Sequence, residues 1–107
     1  MRDNDYIERI KKYAIKITNY MSVIHSYEEF ESNDEKIDAV ILNLEQIGET
    51  AKKISFETRN HYIDVNWPSI IGLRNMISHE YEGVKLVIIY EIATKNIPDL
   101  LIKLSAP

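Results

Sequence analysis

The sequence lacks several features that would fix a protein's compartment or chemistry. It contains no cysteine, which excludes disulfides and thiolate metal sites. Its longest apolar runs, such as 86–90, have about five residues, far fewer than the ~20 that a membrane-spanning helix needs. Residues 1–12 are charged and lack the apolar stretch of a secretory signal. We therefore expect a cytoplasmic protein that does not enter the membrane.

Basic residues are fewer than acidic ones. The formal net charge is −4, with 13 lysines and arginines against 17 acidic residues. This balance argues against indiscriminate binding of nucleic acid, which needs a basic surface. The sign is uneven, since residues 28–49 carry eight carboxylates against Lys36 alone. A local basic groove therefore remains compatible with the sequence.

Apolar residues recur at steps of three and four along most of the chain, which is typical of amphipathic helices. The pattern predicts four helices, over residues 5–25, 34–55, 68–81 and 84–104. Between the first two, 25–33 is predicted to be an acidic linker. Residues 56–66 have no clear period, and we expect a short helix or turn followed by a loop.

Several residues predict where helices begin and bend. Ser32, followed by Glu35, resembles a capping box for the second helix. Asn66 is a good cap for the third, and proline is tolerated in the first turn that follows. Gly48 lies inside the second helix, where glycine costs ~1 kcal/mol relative to alanine, so we expect a close helix–helix approach there. Pro98 should kink the last helix near 94–97.

These elements predict a single domain over residues 1–107. Its fold class is all-α, an up-down helical bundle of four to five helices with a kinked C-terminal helix. Trp67, the only tryptophan, should anchor the core or an interface. The seven tyrosines would suit a homodimer interface, although tyrosines on helical stripes are more often core residues.

The densest polar cluster is the stretch from Arg74 to Tyr81, which also holds Asn75, Ser78 and His79. On a helix Arg74 and Ser78 share a face, as do Asn75 and His79. Arginine binds phosphate through a planar fork, and histidine transfers protons near neutral pH. The pair therefore suggests phosphodiester cleavage. The simpler interpretation is that Arg74 pairs with a carboxylate and His79 caps a helix end.

The same stretch resembles the R-x4-6-H motif of the HEPN superfamily, in particular the R-N-x3-H-x-Y motif of HepT-like toxins. Residues 48–52 are similar to their G-E-x-A-K segment, and 66–75 to the tryptophan-containing approach to the motif. The resemblance covers nearly the whole chain. It implies an all-α HEPN-like fold and an RNA endonuclease.

RNA carries its own nucleophile, the 2′-OH, so the expected chemistry needs no metal and no cofactor. We assign His79 as the acid–base and Arg74 as the stabiliser of the charged phosphorane, with Asn75 and Ser78 as polar support. Glu49 either forms a structural salt bridge with Arg74 or another cation, or orients Arg74 for catalysis. No metal site is expected, because Glu45 and Glu49 have no histidine near them on the helix.

The resemblance also implies partners. HEPN proteins place two motifs face to face, which would make this chain a homodimer with a composite site acting on RNA, with tRNA and mRNA as candidate substrates. A minimal nucleotidyltransferase antitoxin would silence the toxin by adding AMP to Tyr81. Two alternatives stay open: a non-catalytic helical dimer that binds a nucleotidyltransferase, and a plain structural bundle. The first is favoured by the acidic charge; the second does not explain the polar cluster.

Overall fold

The computed structural model describes residues 2–80 and 86–105, with all their side chains except those of His79 and Glu80. Every regular element in this part of the chain is a helix, so the all-α prediction is confirmed. The α-helices are α1 (Arg2–Met21), α2 (Tyr27–Glu31), α3 (Asp34–Ala51), α4 (Phe56–His61), α5 (Trp67–Ile71), α6 (Leu73–Glu80), α7 (Leu86–Glu91) and α8 (Ile97–Ser105), with a π-helical segment, Ile92–Asn96, between α7 and α8.

The core is built around α1, which packs against both α3 and α8. The predicted stripes supply it, because residues three and four apart fall on one side of a helix. Ile10, Ile17, Leu44, Ile47 and Ile97 are completely buried. Trp67 is buried as well, in keeping with its predicted role as a core anchor.

The prediction of an acidic linker over 25–33 is wrong in part, because this segment contains the short helix α2. Phe30 is completely buried, and this apolar anchor holds the turn against α3. The predicted capping box also differs. Asn33 is the cap of α3, accepting a hydrogen bond from Lys36 N at 3.1 Å, whereas the Ser32 hydroxyl donates to Glu29 O at 3.1 Å.

The predicted third helix is interrupted. It begins as expected, with the Asn66 side chain accepting from Ser69 N at 3.2 Å. Gly72 then ends α5, and α6 starts at the next residue. Glycine is a poor helix former, and the break lets α5 and α6 each follow the surface of α3, which both of them contact.

The expected irregularity in the C-terminal helix takes the form of a π-helical turn, Ile92–Asn96. Proline has no N–H, and its ring crowds the carbonyl four residues earlier, which for Pro98 is that of Thr94. A π turn spaces the backbone more widely and is one of the recognised causes of a kink. In the described part of the chain, no helix is long and apolar enough to cross a membrane.

Candidate active site on helix α6

Helix α6 presents one apolar side to the core and one polar side to solvent. Leu73 and Ile77 are buried, four residues apart, and they fix the rotation of the helix. Arg74, Asn75 and Ser78 are consequently exposed. Three of the predicted site residues therefore lie together on an accessible surface.

The histidine of the motif is placed by its backbone. His79 lies in the last turn of α6, five residues after Arg74 and therefore ~140° further around an ideal helix. Its side chain lies outside the described part of the structure, as do residues 81–85 with Tyr81. The assignments of His79 as acid–base and of Tyr81 as AMP acceptor remain predictions.

An ion pair holds Arg74 against α3. Its Nη1 atom lies 3.3 Å from Glu49 Oε1, and the side chains are 56% and 40% exposed. The same Glu49 oxygen accepts a hydrogen bond from Lys52 Nζ at 3.2 Å. This bond, together with the charges of Lys52 and Arg74, lowers the pKa of Glu49 below its usual value, against a smaller opposing effect of partial burial. Glu49 therefore carries its negative charge at neutral pH.

The position of the arginine depends on Gly48. A β-carbon at Gly48 would lie 3.2 Å from Ile70 O and 3.4 Å from Arg74 N. The predicted close approach is confirmed, and its partner is the backbone at the α5–α6 break. Because α3 touches the backbone of Arg74 itself, the next residue, Glu49, is within reach of the guanidinium.

Two further cations lie near the C-terminal end of α3. Lys52 shares the Glu49 oxygen, and Arg59 Nη2 donates to Lys52 O at 3.5 Å. We call Lys52, Arg59 and Arg74 the basic end of α3. The sequence prediction missed Lys52 and Arg59; the i, i+3 spacing of Glu49 and Lys52 is the signal that could have found Lys52.

The chain matches the model of the family described as Ribonuclease HepT-like over residues 4–106. The chain belongs to this family. Three relatives illustrate the similarity. A protein of Methanocaldococcus jannaschii named as a candidate RNase is 35% identical over 85% of this chain and 84% of its own. Another so named, from Caldanaerobacter subterraneus, is 39% identical over 70% and 67%. A probable ribonuclease HepT of Thermococcus cleftensis is 28% identical over 90% and 86%. No solved structure gives a significant match.

The opposite end of α3 in this HepT-like chain is acidic. Its carboxylates come from α2 and the first turns of α3, and we call them the acidic end: Glu28, Glu29, Glu31, Asp34, Glu35 and Asp38. All six are exposed. The acidic and basic ends are therefore separated by about 27 Å, the length of an 18-residue helix.

The larger cavities of the HepT-like chain lie away from Arg74. An apolar groove of about 380 Å³ runs between α6 and the C-terminal helices, lined in part by Leu73, Met76 and Ile92. Met76 is two residues from Arg74 and so faces the other way on α6. Among the described side chains, those of residues 2–78 and 86–105, no three histidines or carboxylates converge as metal ligands would.

Proposed function

We propose that this HepT-like chain is a metal-independent RNA endonuclease toxin. The 2′-OH of a ribose attacks the adjacent phosphorus, and the bond to the 5′-oxygen of the next nucleotide breaks. The 2′-OH proton leaves to a base, and an acid supplies a proton to the departing 5′-oxygen. The products are a 2′,3′-cyclic phosphate and a 5′-OH.

Each site residue has a role in this reaction. His79 transfers protons, and Arg74 stabilises the charge that develops on the phosphorane. Asn75 and Ser78, exposed on the same helix, position the histidine or the phosphate. Glu49 holds Arg74 in place, and the many remaining donors of the guanidinium bind phosphate.

Two proton transfers are needed, and one histidine cannot easily make both at once. We propose that a homodimer brings a second His79 to the same phosphate, so that one imidazole acts as base and the other as acid. This arrangement follows from the chemistry and from the family's motif.

We further propose that a minimal nucleotidyltransferase antitoxin acts on Tyr81 in the cytoplasm. The phenol oxygen attacks the α-phosphorus of ATP, pyrophosphate leaves, and AMP remains attached to the tyrosine. An anionic adduct two residues from His79 blocks and repels RNA.

The nuclease proposal depends on one observation. Arg74 lies exposed on α6, the helix that also carries His79, and an ion pair with Glu49 ties it to α3. The Arg74 side chain is 56% exposed and Glu49 binds one of its donors, so other donors of the guanidinium can reach a phosphate. Membership of the HepT-like ribonuclease family supports the same activity.

The test is cleavage of total cellular RNA and of tRNA by the purified, unmodified protein in EDTA. Wild type and His79→Ala run side by side, and the product ends are mapped. We expect cleavage by wild type alone, with cyclic phosphate ends. General acid–base catalysis contributes about 10²–10⁴-fold, so the variant should lose at least two orders of magnitude.

Other outcomes contradict the proposal in different ways. Equal cleavage by both proteins would indicate a contaminating nuclease and remove the role of His79. No cleavage by either, from protein whose intact mass carries no adenylyl group, would favour the non-catalytic module that binds a nucleotidyltransferase.

A further inference from the structure

Helix α4 buries none of its six residues, yet it is held at both ends. At its start the Asp3 carboxylate accepts hydrogen bonds from Ser55 N at 3.2 Å and Thr58 Oγ1 at 2.7 Å, as well as from the Ser55 hydroxyl. These bonds lower the pKa of Asp3. At its end Trp67 Nε1 donates to the carbonyls of Arg59 and Tyr62, both at 3.2 Å.

Helices this short are not stable by themselves, so the anchors hold α4 in a defined place. What α4 presents there is an aromatic ring. Phe56 is 80% exposed, and the Arg59 guanidinium lies over it at 5.1 Å from the ring centroid. A phenylalanine this exposed contributes little to the core, and its ring is accessible to a ligand.

Contacts join this ring to the candidate site. Arg59 reaches from the Phe56 ring to the carbonyl of Lys52, and Lys52 reaches the Glu49 oxygen that also binds Arg74. A row of cations that ends in an exposed aromatic ring therefore leads away from the candidate catalytic arginine.

We propose that Phe56, Arg59 and Lys52 bind the single-stranded RNA next to the scissile bond. Lys52 and Arg59 bind backbone phosphates, and a base stacks on Phe56. This proposal rests on the proposed ribonuclease function and names the form of its substrate.

The chemistry selects a single strand over a duplex and over a protein. Proteins that bind single-stranded nucleic acid combine a cationic groove with aromatic rings on which bases stack. In a duplex the bases are stacked on each other and cannot reach a flat ring. The cations suit a polyanion, whereas an apolar protein surface would take the charges of Lys52 and Arg59 out of water and offer no counter-charge in return.

The experiment measures anisotropy of a fluorescein-labelled ten-nucleotide oligouridine at several salt concentrations, in a His79→Ala background so that the probe stays intact. Phe56→Ala should weaken binding about tenfold, as loss of one stacked base does, while Phe56→Tyr should retain it. Lys52→Gln should reduce the slope of log K against log salt by about 0.7, the loss of one phosphate contact on a single strand.

Two matched controls lie close by. Ile63 is 78% exposed, so Ile63→Ala removes an equally exposed apolar side chain that is not part of the row. The Lys53 ammonium lies 5.8 Å from the Tyr6 ring centroid, so Lys53→Gln removes the neighbouring charge. Both controls should bind like their parent.

The proposal is overturned if the parent does not bind the oligouridine, or if Phe56→Ala binds as well as the parent, as it would if the ring served a protein partner. Cleavage by wild type together with unchanged binding by Phe56→Ala and Lys52→Gln would refute this inference alone. If the wild-type protein cuts no RNA but Phe56→Ala and Lys52→Gln still weaken binding, the result would support the proposed single-strand binding site and refute the nuclease function.

Discussion

The two ends of α3 carry opposite charge and are built in different ways. At the acidic end none of the six carboxylates forms an ion pair with a described residue. At the basic end one carboxylate oxygen is shared by two cations, and the backbone of α6 lies against Gly48. Both ends suit the helix dipole. The described ion pairs therefore fix the positions of charges at the basic end, as the proposed binding of a polyanion requires.

The largest effect should come from a charge at the basic end. Arg74→Gln should lower kcat/KM for cleavage of single-stranded RNA by about 10²–10³, as expected for loss of one transition-state stabiliser. The kcat/KM of Arg74→Lys should lie between those of wild type and Arg74→Gln, because lysine keeps the charge and loses the planar fork. Asp38→Asn, at the acidic end, should cleave at least as fast as wild type. The comparison fails if the Asp38 and Arg74 variants lose activity equally.

The backbone contact at the basic end gives the next largest effect. Gly48→Val should reduce the free energy of unfolding by about 1–3 kcal/mol through overpacking, because its side chain would meet Ile70 O and Arg74 N. Cleavage should decline as well, since α6 must move away. Thermal unfolding followed by circular dichroism measures the first effect.

Gln46→Val controls for the β-branched side chain, since Gln46 is exposed on the same helix. If Gly48→Val and Gln46→Val unfold at the same temperature, the close approach at Gly48 does not contribute to the stability of the protein.

At the acidic end the expected effect is on stability alone. Asn33→Ala removes the cap of α3 and should lower the free energy of unfolding by about 1 kcal/mol. Ser32→Ala should have less effect, because that hydroxyl does not cap α3. RNA cleavage per folded molecule should stay at the wild-type rate for both, and a loss of activity in Asn33→Ala would contradict the division of roles between the ends.

The smallest effect concerns the shared carboxylate. The pKa of Glu49 is lowered in the folded state, so the stabilisation from its ion pairs is present above the ordinary carboxyl pKa and is lost as pH falls through the lowered value. A carboxyl NMR titration should place Glu49 below its ordinary pKa, and Lys52→Gln should raise it. No change in Lys52→Gln would show that the lysine does not hold the carboxylate in solution.

Local sequence patterns predicted much of the fold and part of the site. The apolar stripes predicted the long helices because periodic burial is a property of each segment. Gly48 indicated a close approach because glycine destabilises a helix relative to alanine and is therefore expected where a side chain would not fit. The pairing of Glu49 with Arg74 was one of two possibilities. The break at Gly72 and the cap at Asn33 were both missed. The cap was missed because competing capping residues one position apart differ little in energy. The hydrogen bonds between Asp3 and Ser55 join residues 52 apart, and no local pattern encodes them.

Because Trp67 is hydrogen-bonded to the end of α4, its intrinsic fluorescence should report whether α4 is in place. Trp67 is the only tryptophan, it is buried, and its indole N–H is bound to two carbonyls at the end of α4. Detachment of α4 would admit water to the indole and shift its emission to longer wavelength while the helical signal in circular dichroism hardly changed. Fluorescence and circular dichroism recorded together would therefore separate local opening at α4 from unfolding of the whole bundle.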